Sequence, residues 1–453
     1  MSRFDTIIIS FLSTVAVLIG AVIWRGDQLG IGVLTTFPES RAASTQTQIR
    51  IAFDAPIAFA EDVTVSLDPP AEGAFTIQNN LLIFQAETPL TSNTTYAVTV
   101  DGDLRNDQGR RLKEPVQWQF TTGEPRILFI SWEPESLNQI YEAPISGEGE
   151  AKPLSTVEGD VTDFAVSPDG ALILFTVFRA EDGGSDLWKM DADGSNQAMF
   201  LPCENAACSQ MVWVPNSNRV IYERRTIPNP GAPPGLPRLW WLDIITNETV
   251  PVFQDSQLLG LGATISENGD WFSFVSPTDQ GIQVYSLVDG AGIFIPNRMG
   301  SPAAWNPETG RLLLNDIQFL EENDWQVHLL EVDVNTEDVV TLSNDTFFAV
   351  DDSTPTFSPN GRFIAFGRKE ARTAMGRQLW IMNSDGTDAY AVTNDPDVHY
   401  GPFEWSPNGR FIIMQQYQLK EQFASPQLMI HDFETGEWRE VRTPAIQPFA
   451  FIP

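Results

Sequence analysis

The sequence predicts an all-β chain behind one apolar N-terminal segment, and three observations carry that prediction. A turn-centred repeat runs through the C-terminal part of the chain. Ahead of it lie about ninety residues of short alternating segments bounded by Pro, Asn and Gly. Neither region shows a helical period.

Taken in chain order, the first element is Thr6 to Trp24, which is uncharged and mostly apolar. Nineteen helical residues span roughly 28 Å, close to the ~30 Å hydrocarbon thickness of a bilayer. The expectation is a signal anchor over 6–24, a cytoplasmic tail over 1–5 and a linker over 25–32, with the bulk of the chain extracytoplasmic. A cleaved signal peptide ending near Ile19-Gly20-Ala21 is the competing reading, but the apolar run continues to Trp24 with no polar stretch before it.

Residues 33–123 read as a β-sandwich. The strand-like runs are TQIRIAFDAPI, DVTVSLDPP, NNLLIFQAE, TTYAVTVDG and VQWQFTTGEP. The order Phe37-Pro38-Glu39, Ile51-Ala52-Phe53-Asp54, LTSNTTY from Leu90, VDGDLRNDQG from Val100 and Phe120-Thr121-Thr122 is similar to the bacterial Ig-like domain of SbsA-type S-layer proteins. That resemblance implies a spacer or adhesive module.

From Arg126 onward, six copies of one pattern follow: an apolar run, a turn, a second apolar run. They are VTDFAV-SPDG-ALILFTV from Val161, MVWV-PNSN-RVIYE from Met211, GATI-SENG-DWFSFV from Gly262, AAW-NPETG-RLLLN from Ala303, PTF-SPNG-RFIAFG from Pro355 and FEW-SPNG-RFIIMQ from Phe403. With Pro168, Pro215, Glu267, Pro307, Pro359 and Pro407 equivalent, the intervals are 47, 52, 40, 52 and 48 residues, the range of four-stranded propeller blades. Pro presets φ within each turn, and the Gly after Asp or Asn accepts a left-handed conformation. Another blade is expected from the two ends: Arg126 to Ser131 as a second strand, Gln139 to Ile145 as a third, and Phe449 to Pro453 as the missing first. Joining the ends in one blade removes exposed sheet edges. The expectation is a seven-bladed closed propeller over 126–453, with six or eight blades as alternatives. LWKM-DADG-SN from Leu187 and LWIM-NSDG-TD from Leu379 add a second turn signal, and with the S-P-D/N-G turns they resemble the PD40, or WD40-like, repeats of TolB-type propellers. The resemblance implies the fold and says little of function.

Composition narrows the function classes. Lys and Arg number 27 against 60 Asp and Glu, a net charge of −33, so nucleic acid is repelled. Cys203 and Cys208 lie close enough for a local disulfide in an oxidising compartment, and free thiols are the alternative. His328, His399 and His431 are scattered, which disfavours zinc. Asp191-Ala192-Asp193-Gly194 and Asn383 to Asp388 have calcium-loop composition without the later bidentate Glu, so they read as hairpin turns; calcium held by axial acidic residues remains a third reading. No G-x-S-x-G, H-E-x-x-H, phosphate loop or CxxC occurs.

The connections between second and third strands, and between blades, hold the length variation and are expected to form the binding face. Arg368, Lys369, Arg372 and Arg377 make a basic island there, with Glu321, Glu322, Asp324, Asp351 and Asp352 expected on neighbouring blades. Pairing among these charges is the bland reading, and capture of an anionic ligand or acidic partner segment the sharper one. The expected function is an extracytoplasmic scaffold that binds an envelope or extracellular protein or ligand, without a cofactor. The alternative is an envelope-acting hydrolase or lyase with Glu321 and Asp351 as acid and base.

Overall fold

The computed structural model describes residues 30–38, 43, 45, 47–88, 90–107, 109–123, 125–131, 136–145, 150–215, 217–254, 258–320, 324–343, 349–370, 375–421 and 424–452. The expected anchor and tail lie outside them, as do Glu321, Glu322 and Arg372. Among the described residues every helix or strand is a strand, and no helix is long and apolar enough to cross a membrane. The chain divides into two compact units, residues 1–124 and 125–453.

In the first unit, one sheet orders Val33–Phe37, Ile49–Phe53, Leu81–Ala86 and Gly73–Gln78, and the other orders Ile57–Asp68, Thr95–Asn106 and Val116–Thr121. Alternation sends Ile49, Ile51 and Phe53 from one sheet, and Val98, Val100 and Phe120 from the other, into a single core. The Thr91 N–H donates to the Tyr96 hydroxyl at 2.9 Å, pinning the chain as it enters the long strand.

The second unit is a succession of four-stranded antiparallel meanders. The first comprises Val161–Val166, Leu172–Phe178, Ser185–Asp191 and Ala198–Leu201; the second Ala206–Trp213, Arg219–Thr226, Arg238–Asp243 and Thr249–Pro251. The third is Leu261–Ile265, Trp271–Ser276, Gly281–Ser286 and Gly292–Pro296; the fourth Ala304–Trp305, Leu312–Phe319, Trp325–Val332 and Val339–Thr341. The fifth is Val350–Phe357, Phe363–Glu370, Gln378–Asn383 and Tyr390–Ala391; the sixth Val398–Trp405, Phe411–Gln418, Gln427–Asp432 and Trp438–Arg442. The first and second meanders share one sheet through the parallel pair Ser185 and Ala207, and the fourth and fifth share another through Val327 and Asp351. A terminal sheet orders Ala445–Ile452, Arg126–Ser131, Gln139–Pro144 and Lys152–Pro153. Its innermost strand therefore comes from the far end of the sequence, and it begins at Ala445, four residues earlier than the apolar run FAFIP suggests.

Second strands are buried on both faces, which is why they read as continuous apolar runs rather than alternating ones. Ile221 enters a core with Phe272 and Phe274 of the third meander, while its neighbours Val220 and Tyr222 join Leu174 and Leu187 of the first. The same division holds at the ends: Ile127 and Phe129 pack with Ile413 and Ile430, while Leu128 and Ile130 pack with Ile173 and Phe175.

Candidate functional site

The repeated turns lock the inner strands in register. In S-P-D-G, the Ser167 hydroxyl donates to Asp169 Oδ1 at 2.6 Å and accepts the Leu172 N–H at 2.9 Å. Ser266, Ser358 and Ser406 repeat both bonds with Asn268, Asn360 and Asn408, and Gly170, Gly269, Gly361 and Gly409 supply the positive φ. Asn306 performs the same closure in N-P-E-T-G by accepting the Glu308 N–H at 3.0 Å. Asp193 is likewise used inside its hairpin, accepting the Ser195 N–H at 2.9 Å.

Beyond the turns, most first strands carry a bulge. Register shifts occur at Val161/Asp163, Ser209/Val212, Leu261/Thr264, Ser353/Thr356, Tyr400/Phe403 and Ile446/Phe449. Gln210, Gly262 and Thr354, each five residues before the turn position, have φ of 53°, 59° and 48°. For a β-branched residue such as Thr354 this is an outlier. Bulges re-aim side chains and free backbone groups, and here buried side chains of adjacent meanders take those groups up. Asp163 accepts the Gln210 N–H, Glu223 accepts the Gly262 N–H at 2.8 Å, and Gln415 donates to the Ala445 carbonyl at 2.9 Å. Burial pushes the Asp163 carboxyl up to about 7, against the pull of its backbone donors.

Three neighbouring bulges frame a cavity of about 500 Å³. Ser353 and Thr354 come from the fifth meander, Tyr400, Gly401 and Pro402 from the sixth, and Gln447 from the terminal sheet. Arg377, His399, Tyr417 and Leu419 complete the lining. Arg377 immediately precedes a third strand and Leu419 immediately follows a second, so the cavity lies at the end of the meanders where those connections run. The Tyr417 hydroxyl donates to Gln415 Oε1 at 2.6 Å, and the Gln447 amide donates to the same oxygen at 3.1 Å. The Arg377 backbone N–H donates to His399 Nδ1 at 3.2 Å, which leaves the ring proton on Nε2. Burial pushes His399 below the ordinary histidine range, and Arg377 and Lys369 lower it further, so the ring is neutral.

The predicted charged residues are arranged differently from expectation. Asp351 and Asp352 do not sit on a blade next to the basic island: they lie on the first strand of the same meander, directly opposite Lys369 and Arg368. Arg368 is not a loop charge. It is 7% exposed and donates from Nε and Nη2 to Asp352, itself fully buried, at 2.7 Å each, with the guanidinium 4.9 Å from the Trp380 ring centre. Burial raises the Asp352 carboxyl and Arg368 opposes that rise. Asp351 is shared between Lys369 at 3.3 Å and Arg377 at 2.9 Å. Asp324 caps its own strand by accepting the Trp325 N–H at 2.9 Å. The charges pair, as the bland reading has it, but inside the protein rather than in solvent. The apolar strand runs on to Glu370 because carboxylates opposite neutralise its last cations. Of the predicted cations among the described residues, only Arg377 lines the cavity.

Cys203 and Cys208 form a disulfide with Cα atoms 6.3 Å apart, both buried where the first meander meets the second. Among the described residues no group of three or more His, Cys, Asp or Glu is placed to hold a metal.

Sequence reasoning missed Ser353, Thr354, His399, Tyr400, Gly401, Pro402, Tyr417, Leu419 and Gln447. A legible signal existed in Thr354-Pro355, Gly401-Pro402 and Gln447-Pro448, since Pro inside an inner strand removes a ladder donor and marks a bulge.

Comparison with known proteins identifies the first unit's class: residues 27–122 match the family described as bacterial Ig-like domain. No curated protein matches the chain. Solved structures similar to it include the β-propeller domain of the Trilobed protease from Pyrococcus furiosus, at 12% identity and TM-score 0.48, covering 82% of this chain and 98% of that one. A putative TolB from Agrobacterium tumefaciens is similar at 14% identity and TM-score 0.39, over 70% and 88%. An oligogalacturonate lyase in complex with manganese is similar at 15% identity and TM-score 0.41, over 63% and 74%.

Proposed function

We propose that the chain is a membrane-anchored extracytoplasmic binding protein whose Ig-like domain carries a closed, seven-bladed propeller of PD40-type repeats. Supporting the ring is an unbroken cycle of contacts among first strands, from Val161–Val166 through each meander in turn to Ala445–Ile452 and back. The apolar segment 6–24, the acidic surface and the Cys203–Cys208 disulfide support the location.

The observation that carries the binding role is the cavity framed by Thr354, Gly401 and Gln447, whose volume falls in the range of small-ligand sites. Its walls combine aromatic faces with polar groups from three meanders, the composition by which preformed pockets orient a ligand. The partner is an envelope or extracellular molecule that presents a small group to this cavity. The alternative is a hydrolase or lyase with Glu321 and Asp351 as acid and base; Asp351 is ion-paired to Lys369 and Arg377.

The test is ligand-observed NMR of a mixed set of neutral and charged fragments with the full chain and with Leu419→Trp, which fills the cavity. Hits lost in the variant support the reading. Hits that are all retained place binding elsewhere and overturn it.

A further inference from the structure

Resting on that reading, we infer that the cavity takes a carboxylate-bearing ligand, with the Arg377 guanidinium and the His399 Nε2–H as its donors. Among the described residues the ion pairs around Arg377 do not cancel: Lys369 and Arg377 share the carboxylate of Asp351, one anion between two cations, in a chain of net charge −33. The guanidinium touches Asp351 through Nη2 alone, at 2.9 Å to each oxygen, so Nη1 of this lining residue makes no hydrogen bond to a described residue. A charged donor left without an acceptor at the wall of a cavity favours a ligand that delivers one.

His399 points to the same chemistry. Its Nδ1 is occupied by the Arg377 N–H, which makes Nε2 a donor, and the charges that act on the ring are the two cations. Of the other carboxylates, Asp397 is paired with Lys420, while burial and the charge of Asp395 push up the hydroxyl of the lining residue Tyr400 and keep it protonated. The cavity thus presents donors at its Arg377 and His399 wall, where the acting charges are cations, while Gln415 Oε1 is saturated by Tyr417 and Gln447. Tyr417 and the His399 ring, with centres 6.0 Å apart, add aromatic surface for a flat or short-chain acid.

Isosteric acid and amide pairs isolate the charge: benzoate with benzamide, and L-glutamate with L-glutamine, titrated calorimetrically into the full chain. The expected result is at least tenfold tighter binding of each acid, weakened by salt. Arg377→Gln should abolish the preference and Arg377→Lys retain part of it. Should Arg377→Gln fail to fold, Lys369→Gln, which leaves Asp351 paired to Arg377, should still reduce the preference severalfold. Equal affinity of acid and amide in the unaltered protein overturns the carboxylate assignment while leaving the cavity as a binding site. Binding of neither member of a pair also overturns it, and the Leu419→Trp fragment experiment then decides the cavity independently.

Discussion

Asp163 shows how one side chain ties stability to pH. Its carboxyl is buried at a bulge, accepts the Gln210 N–H and titrates near 7 when folded, well above the ordinary aspartate value of about 3.9. The folded state therefore holds this proton more tightly than the unfolded one. Below pH 4 both states are protonated and nothing is lost; between about 4 and 7 the unfolded chain releases the proton first, so stability falls as pH rises, by up to ~1.4 kcal/mol per unit. Asp163→Asn keeps an acceptor for Gln210 and removes the titration. Urea melts at pH 5 and pH 8 should show a smaller loss across that interval in the variant than in the parent, and equal losses would assign the slope to other groups. None of this is legible from V-T-D-F-A-V, because the backbone donor that Asp163 meets belongs to Gln210, 47 residues further along the chain. The bulge at Val161/Asp163 shifts the alternation, and a one-residue slip moves a side chain to the opposite face.

At the level of strands and turns, the repeat was the part most plainly written in the residues. Each S-P-x-G turn carries its own chemistry within six residues, so pattern and mechanism coincide. Ser406→Ala removes the acceptor for the Phe411 N–H and the donor to Asn408 in one step. A loss of about 1 kcal/mol in thermal or urea melts is expected, with Ser406→Thr restoring part of it. The Arg368–Asp352 pair was misread for the opposite reason: its partner lies across a strand pair, and R-K-E at the end of an apolar run looks like the start of a loop. Because both charges are buried, breaking the pair is costly. Asp352→Ala should destabilise by about 3–5 kcal/mol, whereas Asp352→Leu with Arg368→Met should be close to neutral. A single variant that melts like the parent would show that the pair contributes little. The cavity was illegible at this scale because its walls come from strands starting at Val350, Val398 and Ala445, and no local window contains them together.

For the whole molecule, the proposed ring makes every core depend on two neighbours. Phe451 sits in the terminal sheet against Phe411 and Ile413, while Ile452 beside it enters the core with Ile173 and Phe175. Phe451→Ala should cost about 3–5 kcal/mol. Hydrogen exchange should then quicken on both sides, at Ile412 to Met414 and at Ile173 to Phe175. A change confined to the terminal sheet would argue for an open arc.

The origin of that innermost strand also has a consequence for biogenesis. Ser131 bonds the Pro444 carbonyl across 313 residues, so the strand that emerges first in this domain pairs early with Gln139–Pro144 on one side but waits for nearly all the rest before it gains Ala445–Ile452 on the other. A chain threaded N-terminus first through a translocation pore would expose the edge of Arg126–Ser131 throughout that interval. In a circular permutant of this domain opening between the sixth meander and Ala445, that interval of exposure would vanish.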